Sequence, residues 1–258
     1  LQAYSKEESY IVWAEILSGI NEIYNLASGN LPLQKKLAKY YSSLLKDIAK
    51  KVGWEVEHKE SQARSLLRSA VLAHYGLYGD QSTLKKAQQL FAKRASRAIH
   101  PDLRATVYSL TAKQGDIKTW NKFKESFVKE KLQEEQRRIG RGMVSFTNQT
   151  LLRKSLDFVL SDHVRNQDAP LLIASCLMNS NNREVTWQWL QKNWETIHNR
   201  YHDDHLIVGI VKALSGFNSK AKAVEVAKFF KAHPVPAAQR AIKQVLEQIH
   251  LHAAWQKR

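Results

Sequence analysis

Helical periodicity constrains this chain more than any other feature, because it continues through almost the whole sequence. No segment alternates apolar and polar residues with the period of two that a half-buried strand requires. No Asn-Gly or Asp-Gly dipeptide marks a hairpin turn. Prolines and glycines fall between the helical segments, where a first turn tolerates proline and a helix end favours glycine. The sequence therefore predicts an all-α protein, with candidate helices at 6–28, 32–52, 58–77, 82–98, 101–112, 116–139, 148–160, 168–179, 183–201, 203–216, 219–232 and 236–254.

The short breaks between these helices predict how they are arranged. Neighbours joined by short connections pack antiparallel, and the helix pairs recur about every 35–45 residues, a period typical of helical repeats. We therefore expect a superhelical array of antiparallel helix pairs, a HEAT- or armadillo-like α-solenoid. No linker rich in Gly, Ser or Pro divides the chain, so residues 1–258 are predicted to form a single domain.

Two apolar patterns indicate core. Trp187, Leu190, Trp194, Ile197 and Tyr201 recur at the spacing that places them on one helix face, which is typical of core packing rather than of a ligand platform. Cys176 lies in an apolar run and is expected to be a buried structural thiol. As the only cysteine, it excludes a disulfide framework and a CxxC zinc site.

The net charge of +16 suggests an acidic partner, but it does not identify one. Residues 61–140 carry a net charge of +9, more than any other segment. A basic surface attracts nucleic acid, anionic lipid or acidic proteins. No run of five like charges and no nucleic-acid-binding motif accompanies the excess, so nucleic-acid binding is not expected. No apolar run reaches the ~18–20 residues of a membrane span, and no membrane partner is expected.

A search for catalytic motifs finds no HExxH, GxSxG, P-loop or GxGxxG. His198 and His202 could share a helix face and hold a metal with His205, which would make the chain a metal-dependent hydrolase. However, Asn199 stands where a zinc peptidase needs its glutamate, and a polar helix end is the favoured interpretation. From its residues alone, the chain is predicted to be an all-α binding or structural module without catalytic residues, metal ligands or a cofactor.

Several segments occur in an order that is specific as a set, although each is weak alone. They are residues 5–13, 99–104, 107–108, 156–161, 164–168, 187–195, 229–230, 233–238 and 253–258. The series resembles the C-terminal helical domain of gluzincin-type zinc aminopeptidases, and most closely their puromycin-sensitive branch. The resemblance covers nearly the whole chain.

The resemblance implies a helical superhelix whose concave side closes over the active site and shapes the peptide chamber. Zinc and its HExxH motif would lie in the catalytic domain of the same polypeptide, so the expected partners are that domain and the peptide substrate. The chain does not begin with Met and is expected to be truncated on its N-terminal side. Residues 1–5 do not resemble a signal peptide, and a cytoplasmic location is expected. The isolated chain should be inactive.

Three arginines are predicted to attract the C-terminal carboxylate of a peptide: Arg104, Arg165 and Arg183. They lie at helix junctions in or near the familiar segments, and for each the alternative is a helix-end or ion-pair role. Arg165 could simply organise a turn with Asp168. In some relatives a basic residue reaches the active site from the segment where this chain has Gly209. A different function also remains open, that of a free-standing basic helical-repeat adaptor for an acidic protein or nucleic acid.

Overall fold

The structure is a computed structural model that describes residue 4 and residues 6–93, 99–202 and 205–256 of the chain. These residues form fourteen α-helices and short 3₁₀ turns, and they contain no strand, which confirms the predicted all-α helical array. The chain divides into two compact units, residues 1–119 and residues 120–258. Each unit has its own buried core. The single domain predicted for residues 1–258 stays a prediction.

Three helices of the N-terminal unit begin at side-chain caps. The side chains of Asn30, Ser61 and Asp80 accept hydrogen bonds from backbone N–H groups three residues later, which satisfies donors that the first helical turn leaves free. Gly79 has a φ of 100°, a left-handed conformation that ends a helix without the strain of a side chain. The resulting helices are α1 (Tyr10–Leu26), α2 (Leu31–Val52), α3 (Gln62–Leu77), α4 (Gln81–Ala92) and α5 (Arg104–Lys113), the last preceded by a 3₁₀ turn (Pro101–Leu103).

Tyrosines from three parts of the N-terminal unit meet in its core. The ring of Tyr78 lies 5.3 Å from that of Tyr24 and 5.2 Å from that of Tyr41, centroid to centroid. Tilted and edge-on ring pairs of this kind add to the stabilisation from burial. The cluster brings together α1, α2 and the end of α3.

The C-terminal unit contains most of α6 and all later helices. Its first helices are separated by polar breaks, and Asn148 caps α8 by accepting from the N–H groups of Thr150 and Leu151. The helices are α6 (Ile117–Lys129), α7 (Gln133–Met143), α8 (Gln149–Val159), α9 (Ala169–Met178), α10 (Arg183–Lys192), α11 (Trp194–Tyr201), α12 (His205–Ala213), α13 (Lys220–Ala232) and α14 (Gln239–Trp255).

Aromatic side chains fill the core of the C-terminal unit. Trp187 and Trp194 lie 5.0 and 5.2 Å from the ring of Phe229, in edge-on geometry. Every member of the predicted aromatic and aliphatic stripe from Trp187 to Tyr201 is buried, which confirms its assignment to the core. Cys176 is also buried, and its thiol pKa rises to about 12 because burial disfavours the thiolate.

Two predicted helices are interrupted in the structure. The helix expected at 116–139 breaks after Lys129, because the Glu130 carboxylate accepts hydrogen bonds from the N–H groups of Lys131 and Leu132. The helix expected at 183–201 breaks at Asn193, whose side-chain amide donates to the Trp189 carbonyl. In both places a polar side chain makes local hydrogen bonds with the backbone where the helix stops. The start of the helix expected at 203–216 lies outside the described residues.

Candidate functional site

Arg183 lies inside the C-terminal unit, with only 3% of its surface exposed. Its Nε–H donates to the Leu177 carbonyl at 2.9 Å, and its Nη2 donates to the Met178 carbonyl at 3.2 Å. These carbonyls end α9, where a cation is favourable because the helix dipole is negative. Burial lowers the guanidinium pKa to about 10. The Arg183 side chain therefore caps the end of α9 inside the fold, and its contact with a peptide stays a prediction.

Arg165 is held by a turn of the C-terminal unit. Its Nε–H donates to Asp168 Oδ2 at 2.8 Å, and Arg137 donates to the other carboxylate oxygen at 2.7 Å. Burial alone would raise the pKa of Asp168, but the hydrogen bonds from the two arginines hold it below its usual value. The ion pair with Asp168 agrees with the turn-organising alternative. Asp168 occupies the N-cap position of α9, although its side chain does not cap that helix.

Arg104 begins α5 in the N-terminal unit, and its Nε–H donates to the Ile99 carbonyl at 3.4 Å. Arg104 therefore lies in a different compact unit from Arg165 and Arg183. The structure does not bring the three predicted arginines together within one unit, and peptide contact by Arg104 also stays a prediction.

Sequence reasoning missed two other cations that cap helix ends, the buried Arg68 and the half-buried Lys113, both in the N-terminal unit. Arg68 is 1% exposed; it donates to the Val52 and Gly53 carbonyls at the end of α2 and pairs with Glu60. Lys113 donates to the Leu77 carbonyl at the end of α3, and burial lowers its pKa to about 8. The available signal was a basic residue on an otherwise apolar helix face, but the sequence does not show which helix end it caps.

The histidines considered as metal ligands lie near the end of α11. The rings of His198 and His202 stack at 5.2 Å, and His202 Nδ1 donates to the His198 carbonyl at 3.1 Å. No group of three or more His, Cys, Asp or Glu residues that could hold a metal is found within the described part of the chain. Asp203 and Asp204, which follow this helix, lie outside the described residues.

Gly209 lies on the exposed side of α12. A Cβ atom built at this position would meet no heavy atom within 4 Å. The basic residue that the resemblance places in this segment would therefore fit here, but this chain has no side chain at the position.

A cleft of ≈ 480 Å³ lies beside the core of the C-terminal unit, between the α10–α11 junction and the end of α13. The indole of Trp194 lines it and is fixed by the rings of Phe229 and Phe230, at 5.2 and 5.6 Å. His233 stacks on Phe229 at 4.4 Å, and its Nδ1 donates to the Phe229 carbonyl at 3.0 Å. The full lining is Gln191, Lys192, Trp194, Glu195, His198, Asn199, His233 and Pro234.

The cleft combines a rigid aromatic base with charges of both signs at its rim. Its volume falls in the range of small-molecule sites, which combine apolar walls with a few polar groups. Lys192 and Glu195 are both exposed. Because its Nδ1 is bonded to a carbonyl, a neutral His233 has a hydrogen-bond acceptor at Nε2. The arrangement can bind a small polar molecule but contains no nucleophile paired with a base.

Comparison with known proteins decides the family. The model of the family described as "ERAP1-like C-terminal domain" matches residues 1–251. The chain belongs to this family. A match of this extent includes both compact units and agrees with the resemblance drawn from the ordered segments.

Curated relatives of this ERAP1-like C-terminal domain are aminopeptidases. Aminopeptidase M1 of Arabidopsis thaliana is 32% identical over 98% of this chain and 30% of its own length. Glutamyl aminopeptidase of Bos taurus is 30% identical over 100% of this chain, and that of Homo sapiens is 28% identical over 98%. The chain spans 27% of the length of each of these two enzymes.

Among the described helices, none combines the length and the apolar character needed to cross a bilayer.

Proposed function

We propose that this chain is the non-catalytic C-terminal domain of a zinc aminopeptidase that removes N-terminal residues from peptides. The observation that carries the proposal is the family match over residues 1–251, joined to relatives named as aminopeptidases. The chain spans 27–30% of those relatives, so the catalytic machinery belongs to the remainder of such a polypeptide. The sequence itself supplies no HExxH motif.

In this role the domain covers the active site and shapes the chamber that holds the peptide. Zinc would be bound by the catalytic domain, where it activates the attacking water. This chain would contribute walls and charge, and its net charge of +16 favours the carboxylate end of a peptide. Its partners would be the catalytic domain of the same polypeptide and the peptide substrate.

The first test is the coding sequence upstream of Leu1. We expect an open frame with HExxH, followed some turns of helix later by a third ligand, Glu. A start codon directly before Leu1 would contradict the proposal and favour the free-standing adaptor.

The second test is enzymatic. The purified 258-residue chain should release no N-terminal residues from peptides, whereas the complete polypeptide should do so. The complete polypeptide should also discriminate among peptides of different length, and the same polypeptide without residues 1–258 should lose that discrimination. Chelator-sensitive aminopeptidase activity of the isolated chain would overturn its assignment as non-catalytic.

A further inference from the structure

The Trp194 cleft contains an indole N–H that has no hydrogen-bond partner among the described residues. The side chain as a whole is 4% exposed. The Nε1 atom itself is open to solvent. Because the side chain lines the cleft, we infer that this N–H is available to a ligand there.

Other tryptophans of the C-terminal unit make the contrast clear. The indole N–H of Trp120 donates to Ser155 at 2.9 Å, that of Trp187 to Glu225 at 2.6 Å, and that of Trp189 to Asp157 at 2.7 Å. The indole N–H of Trp194 instead is open to solvent, so water or a ligand in the cleft can accept from it. The contrast therefore indicates that the acceptor for Trp194 comes from outside the described chain, as water or as a ligand.

Two rim charges define what that acceptor belongs to. Lys192 and Glu195 line the same cleft, three positions apart, and within the described residues neither forms an ion pair or a hydrogen bond. A carboxylate would accept from the indole N–H and the Lys192 ammonium. An ammonium group would donate to the Glu195 carboxylate and to Nε2 of a neutral His233. A molecule that carries both charges close together is complementary to these groups of the cleft lining.

We propose that the Trp194 cleft binds a free α-amino acid as its zwitterion, with an apolar or aromatic side chain against the rings of the cleft. The aromatic contacts of Trp194 and His233 hold the donors and acceptors in place before binding, which reduces the entropy lost on binding. The inference rests on the cleft alone and is independent of the proposed function.

The test follows the indole resonances of the 258-residue chain by nitrogen-15 NMR while phenylalanine is added as the probe. The Trp194→Phe variant identifies the Trp194 resonance, because it removes the N–H and keeps an aromatic ring. We expect that resonance to move with saturable binding. Lys192→Gln and Glu195→Gln should each weaken binding about fivefold, as loss of a charge-assisted hydrogen bond would. Lys243→Gln and Glu247→Gln, exposed changes on α14, should leave it unchanged.

Derivatives of phenylalanine with one blocked charge distinguish a free amino acid from the C-terminus of a peptide. N-acetylphenylalanine and phenylalaninamide each lack one charge of the zwitterion and should bind about fivefold more weakly than phenylalanine. Equal binding of all three, or no movement of the Trp194 resonance at saturating probe, would overturn the proposal. Tighter binding of a peptide that ends in phenylalanine would overturn it in favour of a peptide C-terminus. If Trp194→Phe does not fold, the Lys192 and Glu195 variants still decide the question, because both side chains are exposed.

Discussion

The two compact units bury an arginine at the same kind of position but surround it differently. Arg68 of the N-terminal unit and Arg183 of the C-terminal unit both donate to the last carbonyls of a helix, α2 and α9 respectively. Arg68 also pairs with Glu60, whose side chain is 4% exposed. Within the described part of the chain, the Arg183 guanidinium contacts carbonyls and the ring of Phe217, 5.9 Å from its guanidinium carbon, and has no carboxylate partner.

The difference shows two ways to keep a charge inside a helical protein. A carboxylate neutralises the guanidinium directly, but then two ions have lost their hydration and each depends on the other. A helix end supplies partial negative charge without a second ion, and the remaining desolvation lowers the pKa of Arg183 to about 10. The N-terminal unit uses the second way as well, since Lys113 caps α3.

The largest expected effect separates the two arginines. Arg68→Met should reduce the free energy of unfolding by about 3–5 kcal/mol, because it leaves the Glu60 carboxylate buried without a counter-ion. Arg183→Met should cost only about 1–3 kcal/mol, because it leaves neutral carbonyls without a donor. Urea unfolding followed by circular dichroism measures both losses.

The matched control removes both ions of the N-terminal pair. The double variant Arg68→Met with Glu60→Leu should recover most of the stability lost in Arg68→Met, since no buried charge remains. Equal losses for Arg68→Met and Arg183→Met would show that Glu60 makes no difference.

The half-buried Lys113 should make stability depend on pH. The folded pKa of Lys113 is about 8, against 10.5 for the free side chain, so between these values the unfolded chain binds the proton and the folded chain does not. Stability should therefore rise with pH across this window, by about 2–3 kcal/mol in total. The wild type should gain relative to Lys113→Met in urea titrations from pH 7 to pH 10. A constant difference between them would contradict the burial of a charged amine.

A smaller effect tests how tightly the Arg183 guanidinium packs against Gly216. A Cβ at Gly216 would lie 2.3 Å from Arg183 Nη2 and 2.5 Å from its Cζ. Gly216→Ala should therefore cost about 1–3 kcal/mol through displacement of the guanidinium. The loss should largely disappear when Arg183→Met is already present, because the obstructing atoms are gone. Additive losses in this double-mutant cycle would refute the contact.

The smallest effect has the opposite sign. Gly209 is in the middle of α12, and an added Cβ meets nothing within 4 Å. Gly209→Ala should raise the free energy of unfolding by about 0.5–1 kcal/mol through helix propensity. Thermal unfolding of the two glycine variants together checks the contrast with Gly216. A loss of stability in Gly209→Ala would mean that the surface of α12 is not open.

Sequence periodicity predicted what depends on neighbours along the chain. The stripe from Trp187 to Tyr201 and the burial of Cys176 followed from spacing alone. The break at Asn193 did not, because an amide that donates to its own helix leaves no mark on apolar periodicity. The destinations of Arg68 and Lys113 were also hidden, since they cap carbonyls 16 and 36 positions earlier in the chain.

Contacts between residues that are distant in the sequence also limited the prediction of the cleft. Trp194 was correctly assigned to the core, but the sequence could not show that its N–H would lack a partner there. The rings that hold it come from Phe229 and Phe230, on a later helix. Part of the basic excess also has an explanation that composition could not supply, because Arg68, Lys113 and Arg183 serve inside the fold.

Several helix ends are capped by cations that lie later in the chain. Val52, Leu77 and Leu177 receive their cations from residues 16, 36 and 6 positions later, and Leu160 receives Arg200 from 40 positions later. Because synthesis proceeds from the N-terminus, each of these helix ends is made before the residue that caps it. Each such helix is finished only by a later one, so a nascent chain stopped between them would display carbonyls that the completed protein keeps covered.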